Sequence, residues 1–306
     1  MTLRDLRCET PKPSVAIYRP RKEIKLINHP YKLLVVDIDG TLVNKYGNIS
    51  AEDKAALAKV RDLGMQVCLA TGRGLQASLS IINQLSLDSY HMSFDGALVS
   101  RPSHGEEIYV QPVNKVMVKQ MVEVAHQYDL DLELYTVSHY FVERETWSTN
   151  AHRQFFGVYP TIVDFAKVWQ RERIIKGALV PITPQETTKA RDFCRQFGDS
   201  LHFSWVKTPA FPDIDFINIL APGVSKGKAL QALASHLGVS LADVIAVGDG
   251  TNDISLLASA GLAIAMGNAP DEVKAIANYV TLDVDHSGLA AAIKQFLCYV
   301  GRDDGA

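Results

Sequence analysis

From Lys32 onward, short apolar runs rich in β-formers alternate with stretches of helical periodicity. The run Leu33–Val36 is apolar at every position, which is typical of a strand buried on both faces. Ser50 then opens a helix that Gly64 closes, and a second apolar run follows from Met65 to Ala70. This order predicts an α/β fold, a Rossmann-like parallel sheet with helices on both faces.

The same alternation returns in the last third of the chain. Strands are predicted at Ile214–Leu220, Asp243–Val247 and Leu262–Ala265, with helices at Lys226–Leu237 and Asn252–Ala258 between them. Because these apolar runs resemble those of the first part, we assign all three strands to the same parallel core sheet.

The middle of the chain has a different pattern. Polar and apolar residues alternate at Asp131–Tyr135, which predicts a half-exposed strand, and Pro184–Phe197 reads as a helix between further short strands. We therefore predict an inserted α+β domain with an antiparallel sheet. The predicted division is an N-terminal extension at 1–30, core at 31–110, insert at 111–207 and core again at 208–306.

Composition excludes several classes of protein. A hydrophobic content of 47% supports a sizeable core, and a net charge of −3 argues against a nucleic-acid partner. No apolar run approaches the about 20 residues that span a bilayer, so no membrane association is expected. The first thirty residues carry seven Lys or Arg and three acids without a signal-like apolar stretch, so we expect a flexible tail.

The four cysteines are widely separated, with no zinc-type spacing. We interpret Cys68, which stands in an apolar run, as a buried hydrophobic residue. The remaining expectations are a reduced, cytoplasmic location and a monomer or small homo-oligomer.

The first chemical signal directly follows the first predicted strand. Asp37 and Asp39 are two apart on an extended segment, so their side chains point to the same side. Two carboxylates this close repel each other, and a cation or a proton is expected between them. Gly40 permits a turn that brings backbone N–H groups near an anion. By itself, the segment is equally compatible with a surface Asp-Gly turn.

Two further segments offer groups for a phosphate. Thr71 and Gly72 follow a strand and precede a helix, where a hydroxyl and free N–H groups suit an anion, although a simple Thr N-cap is the alternative. Lys226 stands at a helix start, where its charge opposes the helix dipole. A bound phosphate would remove that conflict, whereas a solvated lysine is the alternative.

The fourth segment is the loop Gly248–Asp253. Asp249 ends a strand, Asn252 follows, and Asp253 lies one turn into the next helix. Two acids this close are costly without a cation. Since carboxyl ends of parallel strands share one edge of a sheet, we expect these four segments to meet there, with Mg²⁺ on the hard oxygens of Asp37 and Asp249.

The four segments, in this order, resemble the motifs of the haloacid dehalogenase superfamily, and most closely its Cof-like sugar-phosphatase branch. That branch also carries stretches like Ala265–Pro270 and Tyr279–Thr281. The resemblance covers about Lys32 to Leu289. The chain departs from the branch in two places, with Asp95 where Asn is frequent and Asn218 where Glu is frequent.

The resemblance implies roles for the site residues. Asp37 would be the nucleophile and Asp39 the general acid and base. Mg²⁺ would be held by Asp37, the Asp39 carbonyl and Asp249, with Asp253 behind. The phosphoryl group would be bound by the residues Gly40, Thr71, Gly72, Lys226 and Asn252, the last also orienting Lys226.

The resemblance also implies that the insert is a cap that closes over the site and selects the substrate, a small phosphorylated metabolite such as a sugar phosphate. Tyr135, His139 and Arg144 are candidates for that selection, while exposed polar residues on a sheet are the simpler interpretation. Two other functions stay open. A phosphomutase would keep the phosphoryl group for a second transfer, and a sensor would bind the metabolite without hydrolysing it.

Overall fold

A computed structural model describes residues 17–18, 31–208 and 211–297. The strands in chain order are β1 Ile17–Tyr18, β2 Leu33–Asp37, β3 Gln66–Ala70, β4 His91–Ser93, β5 Leu98–Arg101, β6 Glu106–Val110, β7 Leu132–Tyr135, β8 Tyr140–Val142, β9 Thr161–Ile162, β10 Lys176–Leu179, β11 His202–Thr208, β12 Phe211–Leu220, β13 Val244–Gly248, β14 Leu262–Ala265 and β15 Tyr279–Val280.

The α-helices in chain order are α1 Ala51–Asp62, α2 Leu75–Gln84, α3 Lys115–Tyr128, α4 Trp147–Phe156, α5 Phe165–Arg171, α6 Pro184–Phe197, α7 Lys226–Leu237, α8 Ile254–Ser259, α9 Asp271–Ile276 and α10 Gly288–Leu297. Within the described part of the chain, no helix is long and apolar enough to cross a bilayer.

The larger sheet has the order β1-β15-β14-β13-β2-β3-β4-β5-β6. Pairing is parallel from β15 to β4, and antiparallel strands form both edges. Strand β2 lies in the middle and is buried throughout, as its unbroken apolar run predicts. The predicted α/β fold with a parallel core sheet is confirmed.

Helices cover both faces of this sheet. One face packs against apolar residues such as Leu57 of α1 and Leu289 of α10, and the other against Leu233 of α7 and Val273 of α9. Capping chemistry sets the helix ends. The Ser50 hydroxyl accepts a hydrogen bond from the N–H of Asp53 at 3.0 Å and so begins α1.

The smaller sheet has the order β11-β12-β10-β7-β8-β9 and is antiparallel except for the β8–β9 pair. Helices α3, α5 and α6 cover one face, where Met121, Phe165 and Phe193 are buried. We call the elements from α3 to β12, residues 115–220, the insert.

The strand predicted at Ile214–Leu220 was assigned to the core sheet, and that assignment is wrong. The observed strand, β12, pairs antiparallel with β10 and β11 in the smaller sheet. Its apolar residues Ile217 and Ile219 pack in the insert's own core, which is why its composition resembles that of a core strand. We therefore propose a boundary after Leu220 rather than between residues 207 and 208.

The prediction of a half-exposed strand at Asp131–Tyr135 is also wrong. Strand β7 is buried at every position, including Glu133. Leu132 and Leu134 face the insert's core, while Glu133 faces α4 and accepts a hydrogen bond from the Ser148 hydroxyl there, so both faces are covered.

Cys68 is buried, as predicted, and burial raises the pKa of its thiol to about 12. Of the N-terminal extension, Ile17–Tyr18 pairs with β15, and the prediction of a flexible tail otherwise falls outside the described residues.

Candidate active site

The predicted site segments meet at the carboxyl edge of the larger sheet. Asp37 is the last residue of β2, Thr71 follows β3, and Asp249 follows β13, the strands on either side of β2. A cavity of about 440 Å³ opens above this edge, and residues of the insert line its opposite side. Such an edge is where open α/β sheets bind ligands.

Lys226 lies at the centre of the site and is completely buried. Its Nζ is 2.6 Å from Asp37 Oδ1 and 2.5 Å from Asp253 Oδ1. Burial acts to lower the pKa of Lys226, but the two carboxylates outweigh it and raise the pKa, so the ammonium stays charged. The predicted conflict between this lysine and the helix dipole is therefore resolved by protein carboxylates.

Asp249 completes a cluster of acids. One oxygen from each of Asp37, Asp249 and Asp253 lies within 4.8 Å of the others. Thr41 Oγ1 donates to Asp249 Oδ1 at 2.9 Å, and Asn268 Nδ2 donates to Asp249 Oδ2 at 3.0 Å. Both carboxylate oxygens are therefore held in place before any ligand arrives.

The pKa values show that this cluster is short of positive charge. Burial, followed by the nearby Asp253, raises the pKa of Asp37 well above its ordinary value. The same two causes raise the pKa of Asp249 to about 7. Three acidic side chains thus share one ammonium, and the oxygen donors match a hard divalent cation. The residues present therefore fit a metal held by Asp37 and Asp249.

Asp253 shapes the loop that carries Asp249. Its Oδ2 accepts hydrogen bonds from the N–H groups of Asp249 at 3.1 Å and Gly250 at 2.9 Å, while Oδ1 binds Lys226. Both of its oxygens are thus engaged, which suits the predicted place behind the metal. A Cβ on Gly248 would lie 2.6 Å from Asp253 Oδ2, so the turn requires glycine.

Asp39 turns toward a residue to which the sequence analysis gave no role. Arg73 Nε donates to Asp39 Oδ2 at 2.8 Å and Nη2 donates to Oδ1 at 2.5 Å. The guanidinium also lies 4.6 Å from the ring centre of Phe156, in α4 of the insert. Lys226 was predicted to have a function because a cation stands unusually at a helix start. Arg73 also stands near a helix start, so the same sequence signal could have identified it.

Two of the predicted phosphate ligands make other bonds. The N–H of Gly40 donates to the Val43 carbonyl at 2.9 Å within the turn, so the prediction that phosphate binds at this turn concerns the neighbouring N–H groups. Asn252 was expected to orient Lys226, but its Nδ2 donates to Asp95 Oδ1 at 2.8 Å. Lys226 is oriented by carboxylates instead.

Thr71 and Gly72 line the cavity beside Asp37. The Thr71 hydroxyl accepts a hydrogen bond from the N–H of Arg73 at 3.1 Å, which leaves its O–H to donate to a ligand. Asp95 and Asn218, the two positions at which the chain differs from the Cof-like pattern, are in contact, since Asn218 Nδ2 donates to Asp95 Oδ2 at 2.7 Å. The sequence alone could not show that these two departures are neighbours.

Of the three insert candidates, Tyr135 and His139 line the cavity. Arg144 does not, because its Nε donates to Asp131 Oδ1 at 2.5 Å on the surface, so its candidacy is wrong. The cavity residues of the insert that were missed include Lys176 and His152. Both are separated by many residues from any recognisable motif.

Comparison with known proteins is consistent with this geometry. A family model described as haloacid dehalogenase-like hydrolase matches residues 34–293. The 5-amino-6-(5-phospho-D-ribitylamino)uracil phosphatase YitU of Bacillus subtilis is 29% identical, over 87% of this chain and 97% of its own length.

Solved structures agree with the sequence relatives. A haloacid dehalogenase-like hydrolase from Bacteroides thetaiotaomicron is 26% identical with a TM-score of 0.77, covering 87% of this chain and 99% of that one. The subclass IIB sugar phosphatase BT4131 is 26% identical with a TM-score of 0.73, covering 87% and 98%.

Proposed function

Because this chain belongs to the haloacid dehalogenase-like hydrolases, we propose that it is a phosphatase that uses Mg²⁺ and Asp37 to hydrolyse a small phosphorylated metabolite. The observation that carries the proposal is the position of Asp37. This carboxylate faces the cavity from the end of β2, with Lys226 bonded to one of its oxygens and Asp249 beside it.

In the first step, an oxygen of Asp37 attacks the phosphorus and the bond to the leaving oxygen breaks. Asp39 gives its proton to that oxygen, so the products are an aspartyl-phosphate and a neutral alcohol. Arg73 donates to both oxygens of Asp39 in the unliganded site, so one of the two bonds has to open when Asp39 carries the proton, and the other would keep the side chain in place.

In the second step, a water attacks the phosphorus and gives a proton to Asp39, and the Asp37–phosphorus bond breaks. Thr71 lines the cavity, so its hydroxyl would bind a phosphoryl oxygen through both steps, and Lys226, bonded to Asp37 behind the lining, would add its positive charge to the same group. Mg²⁺, held by Asp37 and Asp249, would neutralise the charge of the transferred group. Apart from the nucleophile and the acid and base, the groups around the site would supply positioning and charge neutralisation, which phosphoryl transfer chiefly requires.

The relatives support a small metabolite as the substrate, since one acts on a phosphorylated ribitylaminouracil and another is a sugar phosphatase. A cytoplasmic location, a monomer or small homo-oligomer and the lack of a nucleic-acid partner remain predictions from the sequence.

The test is release of phosphate from p-nitrophenyl phosphate with Mg²⁺. We expect Asp37→Asn to lower kcat by roughly a thousandfold or more, because the amide cannot act as the nucleophile. Asp62→Asn is the matched control, since Asp62 is exposed at the end of α1.

A chelator should abolish the activity, and restoring Mg²⁺ should recover it. Undiminished activity of Asp37→Asn would overturn the mechanism. Activity only in the presence of a bisphosphate activator would indicate a phosphomutase, and metabolite binding without turnover would indicate a sensor.

A further inference from the structure

The insert contributes basic side chains to the cavity and, among the residues the structure describes there, no carboxylate. Its lining includes Lys176, Lys207, His139 and His152. All three acids that line the cavity, Asp37, Asp39 and Asp249, come from the core and serve the transferred phosphoryl group or the metal. The side of the cavity that would face the leaving group is therefore positive.

Lys176 is the buried cation of this wall, at 7% exposure. Its Nζ lies 3.0 Å from Asn218 Oδ1, 3.4 Å from the Gly72 carbonyl oxygen and 4.7 Å from the ring centre of Tyr135. These contacts are all neutral groups. Lys176 forms no ion pair with any carboxylate in the described ranges, and burial lowers its pKa. The charges of Asp95 and Glu133 act against this shift, but neither carboxylate forms an ion pair with the ammonium.

Asp95 and Glu133, the two carboxylates whose charges act on Lys176, are hydrogen-bonded to other groups. Asp95 accepts hydrogen bonds from Asn218 Nδ2 and Asn252 Nδ2, which turns the oxygen of Asn218, rather than an acid, toward Lys176. Glu133 accepts hydrogen bonds from three hydroxyl groups, those of Tyr135, Tyr140 and Ser148. Because residue 218 is an amide and cannot neutralise Lys176, the ammonium can form an ion pair with an anionic ligand.

The other basic groups of the wall are less suited to this role. Lys207 stands 3.8 Å from Asp215 and is half exposed. Burial lowers the pKa of His152, so its ring is neutral near pH 7, and His139 is exposed and stacked on Phe141.

We infer that Lys176 binds a second anionic group on the substrate, so that the preferred substrates are phosphate monoesters whose leaving group carries a carboxylate or a second phosphate. This inference rests on the proposed function. An anionic group of the substrate would form the ion pair with Lys176 that no described carboxylate of the protein forms. Such charge-assisted bonds are strong where water is excluded.

The experiment compares substrates that differ in one group. For the carboxylate, 6-phosphogluconate is compared with glucitol 6-phosphate, which has a hydroxymethyl group in place of the carboxylate. For the phosphate, fructose 1,6-bisphosphate is compared with fructose 6-phosphate. We expect kcat/KM to be roughly tenfold or more higher for the anionic member of at least one pair. The pair that shows the preference identifies the group.

Lys176→Met should reduce that ratio to about one, and Lys176→Arg should retain most of it, since arginine keeps the charge. The double variant Asp95→Asn with Asn218→Asp covers the case in which Lys176→Met fails to fold. It keeps the 95–218 hydrogen bond but places the carboxylate against Lys176, and it should also reduce the ratio. Asn suits the left-handed backbone of Asp95, at φ 53°.

A wild-type ratio near one for both pairs, with p-nitrophenyl phosphate still hydrolysed, would overturn this inference and leave the proposed function intact. Equal losses on all substrates in Lys176→Met would also overturn it, because they would place Lys176 on the transferred phosphoryl group. No hydrolysis of any ester by the wild type would instead contradict the proposed function itself.

Discussion

Arg73 and Asp39, which both line the cavity, form a bidentate ion pair with N···O distances of 2.8 and 2.5 Å. The same guanidinium stacks on Phe156, so the residue that positions the proposed acid and base also contacts the insert. Contact between core and insert is thereby linked to the orientation of Asp39.

The ion pair leads to the first prediction. Arg73→Met should lower kcat for an alkyl phosphate by roughly ten- to a hundredfold, because its leaving oxygen needs a well-placed proton. The loss should be smaller for p-nitrophenyl phosphate, whose leaving group departs without one. Steady-state kinetics with both esters measure the difference. An equal loss of kcat on the two esters would exclude the idea that Arg73 positions Asp39. The variant Arg73→Lys keeps the charge and measures how much of kcat depends on the bidentate contact.

The second prediction concerns Gly40, whose backbone has φ 85° and whose missing side chain makes room for Asp249. A Cβ there would lie 2.3 Å from Asp249 Oδ2, so Gly40→Ala should displace that carboxylate and weaken Mg²⁺ binding by roughly tenfold or more. Isothermal titration with Mg²⁺ measures the affinity. Gly47→Ala is the matched control, because Gly47 has φ 78° with open space around it. Equal affinities in the two variants would contradict the argument.

The third prediction is a pH dependence of metal binding. Burial and Asp253 raise the pKa of Asp249 to about 7 in the metal-free protein, and Mg²⁺ binds the ionised carboxylate. Below pH 7 the metal must displace a proton from Asp249, and burial raises the pKa of its second ligand, Asp37, as well. The apparent Kd should therefore rise as pH falls, by about tenfold per pH unit for each proton displaced. Above pH 8 it should level off. Titrations between pH 5.5 and 8.5 test this, and a flat profile across pH 7 would contradict it.

The fourth prediction concerns the stability of the buried charge cluster. Lys226→Met removes the ammonium between Asp37 and Asp253, so the metal-free protein should lose about 3–5 kcal/mol of unfolding free energy. The loss should be smaller at low pH, since a proton can then replace the lost cation. Urea denaturation at pH 6 and pH 8 measures both effects. Lys228→Met, exposed two residues further along α7, should change little.

Much of the site could be predicted from local patterns. The apolar run of β2 placed Asp37 at a strand end, and the loop at Gly248–Asp253 placed Asp249 at another. Because neighbouring parallel strands end at the same edge of a sheet, the sequence could predict that strand ends far apart in the chain lie close together. The helix α7 was predicted with its observed bounds, since Ser225 and Gly238 cap it by local chemistry.

The predictions for β12 and β7 were wrong because each hydrophobic pattern is compatible with two different structures. The run at β12 is apolar because the insert has a core of its own, and periodicity cannot tell one core from another. Alternation at β7 indicates two different faces, but only the packing of α4 shows that the polar face is covered as well.

The sequence by itself therefore determined the core architecture and the acids that end its strands, because those follow from burial and from turn and cap chemistry within a few residues. Only the tertiary structure decided which side chains are partners: Arg73 with Asp39, Asp95 with Asn218, and Lys176 with the Asn218 amide. These pairings depend on how loops turn above neighbouring strands, on strand register within the insert and, for Asp95 with Asn218, on how the two sheets pack against each other. Side-chain distances of this kind leave no periodic trace in the chain.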